Sequence, residues 1–134
     1  MEVGQPSTGA PDLVVEKSCE LLKTNALPYT ASLGIPELKT RISVYYLEHY
    51  GVKANPDNIV VCTGSSASFL LSFLAAFDVG DKVILTSPTY PCYRNILMCL
   101  GVEIVLIEVD ADTKFQPTTE LLSKALEEHG SVQG

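Results

Sequence analysis

Two short segments of this sequence combine side chains that could bind a ligand: hydroxyl groups in the first, and hydroxyl groups, a thiol and aromatic rings in the second. The first, Thr63-Gly64-Ser65-Ser66, follows an apolar run and precedes an apolar stretch that reads as a helix. Free backbone N–H groups and the helix dipole favour an anion at a helix N-terminus, so this segment could hold a phosphate. The alternative is that Thr63 or Ser65 only caps the helix. The segment lacks the lysine of a P-loop and the further glycines of a dinucleotide fingerprint.

The second segment, Ser87-Pro88-Thr89-Tyr90-Pro91-Cys92-Tyr93, contains two tyrosines and a cysteine. An aromatic ring here could stack on a planar ligand. Tyr93 has helical spacing with the apolar residues that follow it, which favours core packing for this ring. Tyr90 lies between prolines and off that stripe, so core packing explains it poorly. No histidine is near enough in sequence to activate Cys92 as a nucleophile.

An alternation of strands and helices must position both segments. Apolar runs predict strands at 59–62, 82–86 and 103–109, and helical spacing predicts helices at 67–77, about 90–100 and 121–128. Strands and helices that alternate with short connections predict a parallel sheet with crossover helices. Ligands bind at the carboxyl ends of such strands. The two segments, together with the loop at 110–115, would meet at that edge.

The first third of the chain reads as two amphipathic helices separated by loops. The first is predicted to begin at Asp12, as its N-cap, and to stop near Asn25. The second has Pro36 in its first turn and Gly51 just past its end. At the other terminus the chain stops where a further strand should begin, so we expect a piece of a longer protein.

Composition excludes several classes of protein. The 134 residues carry a formal net charge of −7 and are 46% hydrophobic, which predicts at most one globular domain and no nucleic-acid partner. The four cysteines include no Cys-x-x-Cys pair and the two histidines lie far from them in sequence, so no metal site is predicted. Without a secretory signal, free thiols and a cytoplasmic location are expected. The longest apolar stretch is too short to span a membrane.

Four segments, in this order and spacing, resemble the pyridoxal-phosphate-dependent aminotransferases of class I and II, which have fold type I. The resemblance covers almost the whole chain. Each segment is weak alone, but all four fall on loops where a ligand could sit. The segments are Gly4-Gln5-Pro6, Tyr29 to Leu38, Thr63 to Ser66, and Pro88 to Tyr93.

The resemblance implies a truncated α/β fold, namely part of the large three-layer αβα cofactor-binding domain with its mostly parallel sheet. Residues 1–50 would form the N-terminal loop and interface helices. Residues 51–134 would form the first half of the domain that binds pyridoxal 5′-phosphate. The intact enzyme would be a homodimer.

Roles for individual residues also follow from the resemblance. In such enzymes, residues matching Gly64, Ser65 and Ser66 hold the cofactor phosphate, and the ring matching Tyr90 stacks on the cofactor pyridine. The tyrosine matching Tyr29 reaches the phosphate of the neighbouring subunit. The glycine matching Gly4 lies near the substrate carboxylate.

The implied reaction transfers an amino group between an amino acid and a 2-oxo acid. It needs a Schiff-base lysine, which is expected beyond Gly134, so no catalytic residue is assigned and the 134-residue chain alone is predicted to be inactive. Ser123-Lys124 imitates the family's serine-and-lysine segment but falls within an amphipathic helix. The alternatives are a lyase or decarboxylase of the same fold, or a noncatalytic α/β module for a small phosphorylated ligand.

Overall fold

A computed structural model describes Gly4 and residues 6–134 of the chain. The chain divides into two compact units, Met1–Val60 and Val61–Gly134. Among the described residues, the first unit contains two α-helices and a 3-10 turn, and the second contains three α-helices and two strands. In chain order they are α1 (Asp12–Thr24), α2 (Pro36–Tyr50), the 3-10 turn (Pro56–Asn58), α3 (Ser65–Ala76), β1 (Lys82–Ser87), α4 (Pro91–Cys99), β2 (Glu103–Glu108) and α5 (Thr119–His129).

Helix α2 begins and ends at the residues that the sequence indicated, and α1 ends there too, but the N-cap of α1 is Pro11 and not Asp12, which is its first residue. Pro36 occupies the first turn of α2, and Gly51 ends that helix in the left-handed conformation at φ +66°. Asn25 follows the last residue of α1, and its N–H donates to the Leu21 carbonyl. Neither helix has a buried residue, so the apolar side chains of α1 and α2 remain largely exposed.

The second unit is built on a parallel pair of strands joined through α4. Val83 lies opposite Ile104, and Ile84 lies opposite Val105. Because side chains alternate along a strand, each pair faces one side of the sheet. This is the strand, crossover helix and parallel strand that the sequence predicted.

Helices cover both faces of this sheet. On one face, Val83 and Val102 pack with Leu97 of α4, which has no exposed surface, and with Phe73 and Phe77 from the segment of α3. On the other face, Val105 and Ile107 pack against α5. The unit therefore has an αβα arrangement, and the α/β fold class is confirmed.

The prediction of a strand at 59–62 is wrong. The backbone at Ile59 is extended, with φ −100° and ψ 126°, but an extended segment becomes a strand only when a neighbouring strand satisfies its N–H and C=O groups. The side of β1 that does not pair with β2 is instead hydrogen-bonded to the last residues of the chain. The Gln133 N–H donates to the Lys82 carbonyl at 2.8 Å, and the Ile84 N–H donates to the Gly134 carbonyl at 2.8 Å.

Helix α3 is strongly apolar and yet has no buried residue. It begins two residues before the predicted helix, at Ser65 instead of Ala67. Its Leu71 and Leu74 side chains are exposed, whereas Phe73 packs against the core. Among the described residues, no helix combines the length and apolar character that a membrane crossing requires.

Candidate functional site

The backbone at Gly64 determines how α3 begins. Gly64 is the N-cap residue, with φ +84° and ψ 169°. This region of backbone space is essentially restricted to glycine. A Cβ atom added at Gly64 would meet no other atom within 4 Å. The backbone conformation, and not lack of space, therefore requires a glycine at this position.

No side chain caps α3. The N–H groups of Ser65, Ser66 and Ala67 have no hydrogen-bond partner within the part of the chain that the structure describes. The first helical bond runs from the Ser68 N–H to the Gly64 carbonyl at 3.3 Å. The interpretation of Thr63 or Ser65 as a helix cap is therefore wrong, because Gly64 is the N-cap residue and has no hydroxyl.

The charge at the start of each helix sets α3 and α4 apart. In the described residues, α1, α2 and α5 each have an acidic residue in the first turn, whereas α3 and α4 have none. At α5 the Thr118 hydroxyl accepts a hydrogen bond from the Leu121 N–H at 3.3 Å. A backbone hydrogen bond at Glu120, together with the Thr118 side chain, lowers the pKa of that carboxyl. The positive end of the α5 dipole is thus satisfied internally, while the positive ends of α3 and α4 are not.

A side-chain hydrogen bond brings the first turns of α3 and α4 together. The Cys92 thiol donates to Ser66 Oγ, with an Sγ to Oγ distance of 3.3 Å. Cys92 is half-buried and is the second residue of α4. The serine segment and the tyrosine segment, which are far apart in sequence, therefore meet at one place as the parallel-sheet argument predicted.

The two tyrosines of the second segment have different environments. Tyr93 packs edge-to-face against Phe69 of α3, with ring centroids 4.8 Å apart, and so belongs to the aromatic layer between the helices. Tyr90 is the residue before α4 and is 50% exposed. The Tyr90 and Tyr93 rings contact each other edge-to-face, with their centroids 5.4 Å apart. Tyr93 is half-buried and packs on the aromatic rings of α3, as its helical spacing favoured, whereas Tyr90 has an exposed surface on which a planar ligand could lie.

The loop after β2 is satisfied by its own hydrogen bonds. Asp110 Oδ1 accepts from the N–H groups of Asp112 and Thr113 at 2.9 and 3.2 Å. The Thr113 hydroxyl in turn accepts from the Asp110 N–H at 3.1 Å. This segment, which the sequence placed at the same edge, has the local structure of a closed turn.

Tyr29 and Gly4 lie in the first unit. Tyr29 is fully exposed on the loop between α1 and α2. Gly4 is exposed, and a Cβ atom there would meet nothing within 4 Å. Gln5, part of the same sequence motif, lies outside the described residues. The roles assigned to Tyr29 and Gly4 remain predictions.

Sequence reasoning missed Arg94. This residue lines an open cavity of about 220 Å³ at the end of β1. The sequence spacing could have indicated it, because Arg94 follows Tyr90 by four residues and so lies one helical turn further along on the same side. The other lining residues are Thr86, Ser87, Pro88, Thr89, Pro91 and Leu106.

Lysines are not among the residues that meet at the starts of α3 and α4. Lys124 is 70% exposed on α5 and pairs with Glu128 at 3.8 Å. Lys82 is at the beginning of β1, where its Nζ donates to the His129 carbonyl at 3.0 Å. Lys114 is in the closed turn after β2, at φ +54°. Within residues 61–134, the side chains and backbone therefore supply hydroxyl, thiol, phenol and N–H groups to the site but no amine.

Comparison with known proteins identifies the family. The sequence matches the family model for aminotransferase class I and II over residues 1–133, and the chain belongs to this family. It is 48% identical over 124 residues to a valine–pyruvate aminotransferase of Mycobacterium tuberculosis, covering 92% of this chain and 32% of that protein. It is 31% identical over 120 residues to an aspartate aminotransferase of Thermotoga maritima, covering 90% and 32%.

Solved structures agree with this assignment. An aminotransferase from Mycobacterium tuberculosis superposes with a TM-score of 0.85 at 49% identity, covering 91% of this chain and 34% of that one. The aspartate aminotransferase of Rhizobium meliloti gives a TM-score of 0.84 at 31% identity, covering 92% and 31%. The fold is therefore that of these aminotransferases. The chain spans about a third of the length of the relatives it matches.

Proposed function

We propose that the full-length protein is a pyridoxal-phosphate-dependent aminotransferase that moves an amino group between an amino acid and a 2-oxo acid. We further propose that the starts of α3 and α4 hold its cofactor. The observation that supports this most directly is the uncapped N-terminus of α3 at Gly64, in a chain that belongs to the aminotransferase family.

The chemistry of the donor set fits a phosphate group. The free N–H groups of Ser65 and Ser66 and the positive end of α3 favour a dianion. The two serine hydroxyls would add charge-assisted hydrogen bonds. Since α3 has no acidic residue in its first turn, no carboxylate of its own competes with the anion for these donors.

Tyr90 would hold the ring of the cofactor. Its half-exposed phenol ring is supported edge-to-face by Tyr93, which is itself packed on α3. An aromatic face offers stacking area with few rotatable bonds, so a planar ring would be oriented at small entropic cost. Phosphate donors on α3 and a ring support before α4 would fix a ligand at two points.

When bound, pyridoxal phosphate supplies an aldehyde and an electron-withdrawing ring that stabilises negative charge beside the substrate's α-carbon. The residues of this chain hold and orient the group, and Gly4 would contribute near the substrate carboxylate. The lysine that bonds the aldehyde is expected outside these 134 residues, because the relatives are about three times as long. The chain alone would therefore bind weakly and not catalyse transamination.

The intact protein is proposed to be a cytoplasmic homodimer. Residues 1–50 would form its N-terminal interface segment. Two features support this: α1 and α2 have no buried residues, and Tyr29 is fully exposed. Tyr29 would reach the cofactor phosphate of the partner subunit. Residues 51–134 would then be the first half of the cofactor-binding domain. The four free cysteines are compatible with a reducing compartment.

The test is a transamination assay on the full-length protein. Purified protein should bind pyridoxal phosphate and convert amino acids to 2-oxo acids, with valine and aspartate as first donors and pyruvate and 2-oxoglutarate as first acceptors. Release of CO₂ or of an eliminated group, without amino transfer, would identify a decarboxylase or lyase instead. A full-length protein that does not bind pyridoxal phosphate would overturn the proposal. The remaining interpretation would be a noncatalytic module that binds another small phosphorylated ligand.

A further inference from the structure

Ser66 has a different kind of hydrogen-bond partner from three other helical hydroxyl residues, Ser18, Thr24 and Ser68. Serine and threonine within a helix commonly donate back to the carbonyl four residues earlier. Ser68, in the same helix, does so to the Gly64 carbonyl at 3.3 Å. Ser18 and Thr24 of α1 do the same, at 2.7 and 3.1 Å. Ser66 is instead engaged by a side chain of another helix.

The direction of that contact leaves the Ser66 proton available. A hydroxyl has one proton to donate and two lone pairs with which to accept. The Cys92 thiol donates to Ser66 Oγ at 3.3 Å and so occupies one lone pair. The hydroxyl proton can then point toward a ligand at the start of α3, and donation by the thiol polarises the hydroxyl in that sense.

We propose that Cys92 is a positioning residue of the phosphate site: its thiol holds the Ser66 hydroxyl as a donor toward the bound anion. The inference rests on the proposed function, because it assigns a role to Cys92 in the same site. It does not require a reactive thiol. A serine hydroxyl at position 92 would supply the same donor at similar size, whereas an alanine would not.

The experiment compares three variants of the full-length protein. Apoprotein of the wild type, Cys92→Ala, Cys92→Ser and Cys99→Ala is titrated with pyridoxal 5′-phosphate and, separately, with pyridoxal, which lacks the phosphate. Cys99 is the matched control, since it is a cysteine of the same helix that is exposed at the far end, about 10 Å along the axis.

We expect Cys92→Ala to weaken the affinity for pyridoxal phosphate about three- to tenfold, the range for one lost hydrogen bond. Its affinity for pyridoxal should be unchanged. Cys92→Ser should restore most of the loss, and Cys99→Ala should behave as the wild type. This dependence on the ligand's phosphate distinguishes positioning from a general structural defect, which would weaken both ligands together.

The inference is overturned if Cys92→Ala binds pyridoxal phosphate as the wild type does, or if it loses affinity for both ligands equally. It is also overturned if Cys92→Ser shows the same loss as Cys92→Ala. A wild-type protein that binds no pyridoxal phosphate would be a failure of the proposed function. The wild-type titration therefore separates the two failures.

Discussion

Replacing Gly64 by alanine should weaken cofactor binding, destabilise the protein, or do both. The residue adopts φ +84° and ψ 169°, and holding a residue other than glycine in such a conformation costs about 1–3 kcal/mol. An added Cβ atom meets nothing within 4 Å, so no steric term adds to this cost. If the backbone at position 64 relaxes in the variant apoprotein, it must return to the strained conformation when pyridoxal phosphate binds. The affinity for pyridoxal phosphate then falls about five- to 150-fold. If the loop cannot relax, the free energy of unfolding of the apoprotein falls by about the same 1–3 kcal/mol.

The assay measures both quantities in the full-length protein: apoprotein unfolding in denaturant and cofactor affinity by titration. Gly80→Ala is the matched control, because Gly80 also has a positive φ of +88° and open space for a Cβ atom, but precedes β1 at the opposite end of the strand. We expect Gly80→Ala to lose stability by about 1–2 kcal/mol with cofactor affinity unchanged. If Gly64→Ala leaves both stability and affinity at wild-type values, the reasoning about the start of α3 is refuted.

Three further predictions concern the same site. The double substitution Ser65→Ala and Ser66→Ala should lower cofactor affinity at least tenfold by titration, since each hydroxyl bond to a charged acceptor contributes about 1.5–3 kcal/mol; an apoprotein that loses stability with unchanged affinity would contradict the phosphate role. Tyr90→Ala should reduce cofactor affinity and shift the cofactor absorption with little effect on unfolding, whereas Tyr93→Ala should lower the unfolding free energy by about 2 kcal/mol; the reverse pattern would mean that the two rings have been assigned wrongly. Incubating the 134-residue chain with pyridoxal phosphate and reducing with borohydride should give scattered, substoichiometric lysine labels by mass spectrometry; one stoichiometric label with transamination would show a catalytic lysine within this chain.

Much of the fold was predictable because its signals are local. Proline in the first turn of α2 and glycine after it mark that helix by backbone preferences that need no tertiary context. The run at 59–62 has equally strong apolar character, but whether it forms a strand depends on a neighbour from elsewhere in the chain. Such pairing is a tertiary property, and no local signal at these residues contains it.

The site was predictable in outline and not in detail. Parallel-sheet topology brings the segment around Ser65 and the segment around Tyr90 to one edge whatever the exact side chains. The separation of Tyr90 from Tyr93 followed from helical spacing. The contact between Cys92 and Ser66 was not predictable, because it depends on the distance between two helix starts, and sequence periodicity contains no information about that distance.

The acidic residues of the helices provide a signal of function that sequence reasoning can use. A helix dipole at an exposed N-terminus is ordinarily balanced by a carboxylate of the same helix, as at Asp12, Glu37 and Glu120. In the described residues, the two α-helices without one, α3 and α4, are the two whose first turns are joined by the Cys92 thiol. A carboxylate at either start would repel a phosphate bound at the start of α3. The missing charges are therefore what an anion site at this edge requires, although the chain as a whole carries a net charge of −7.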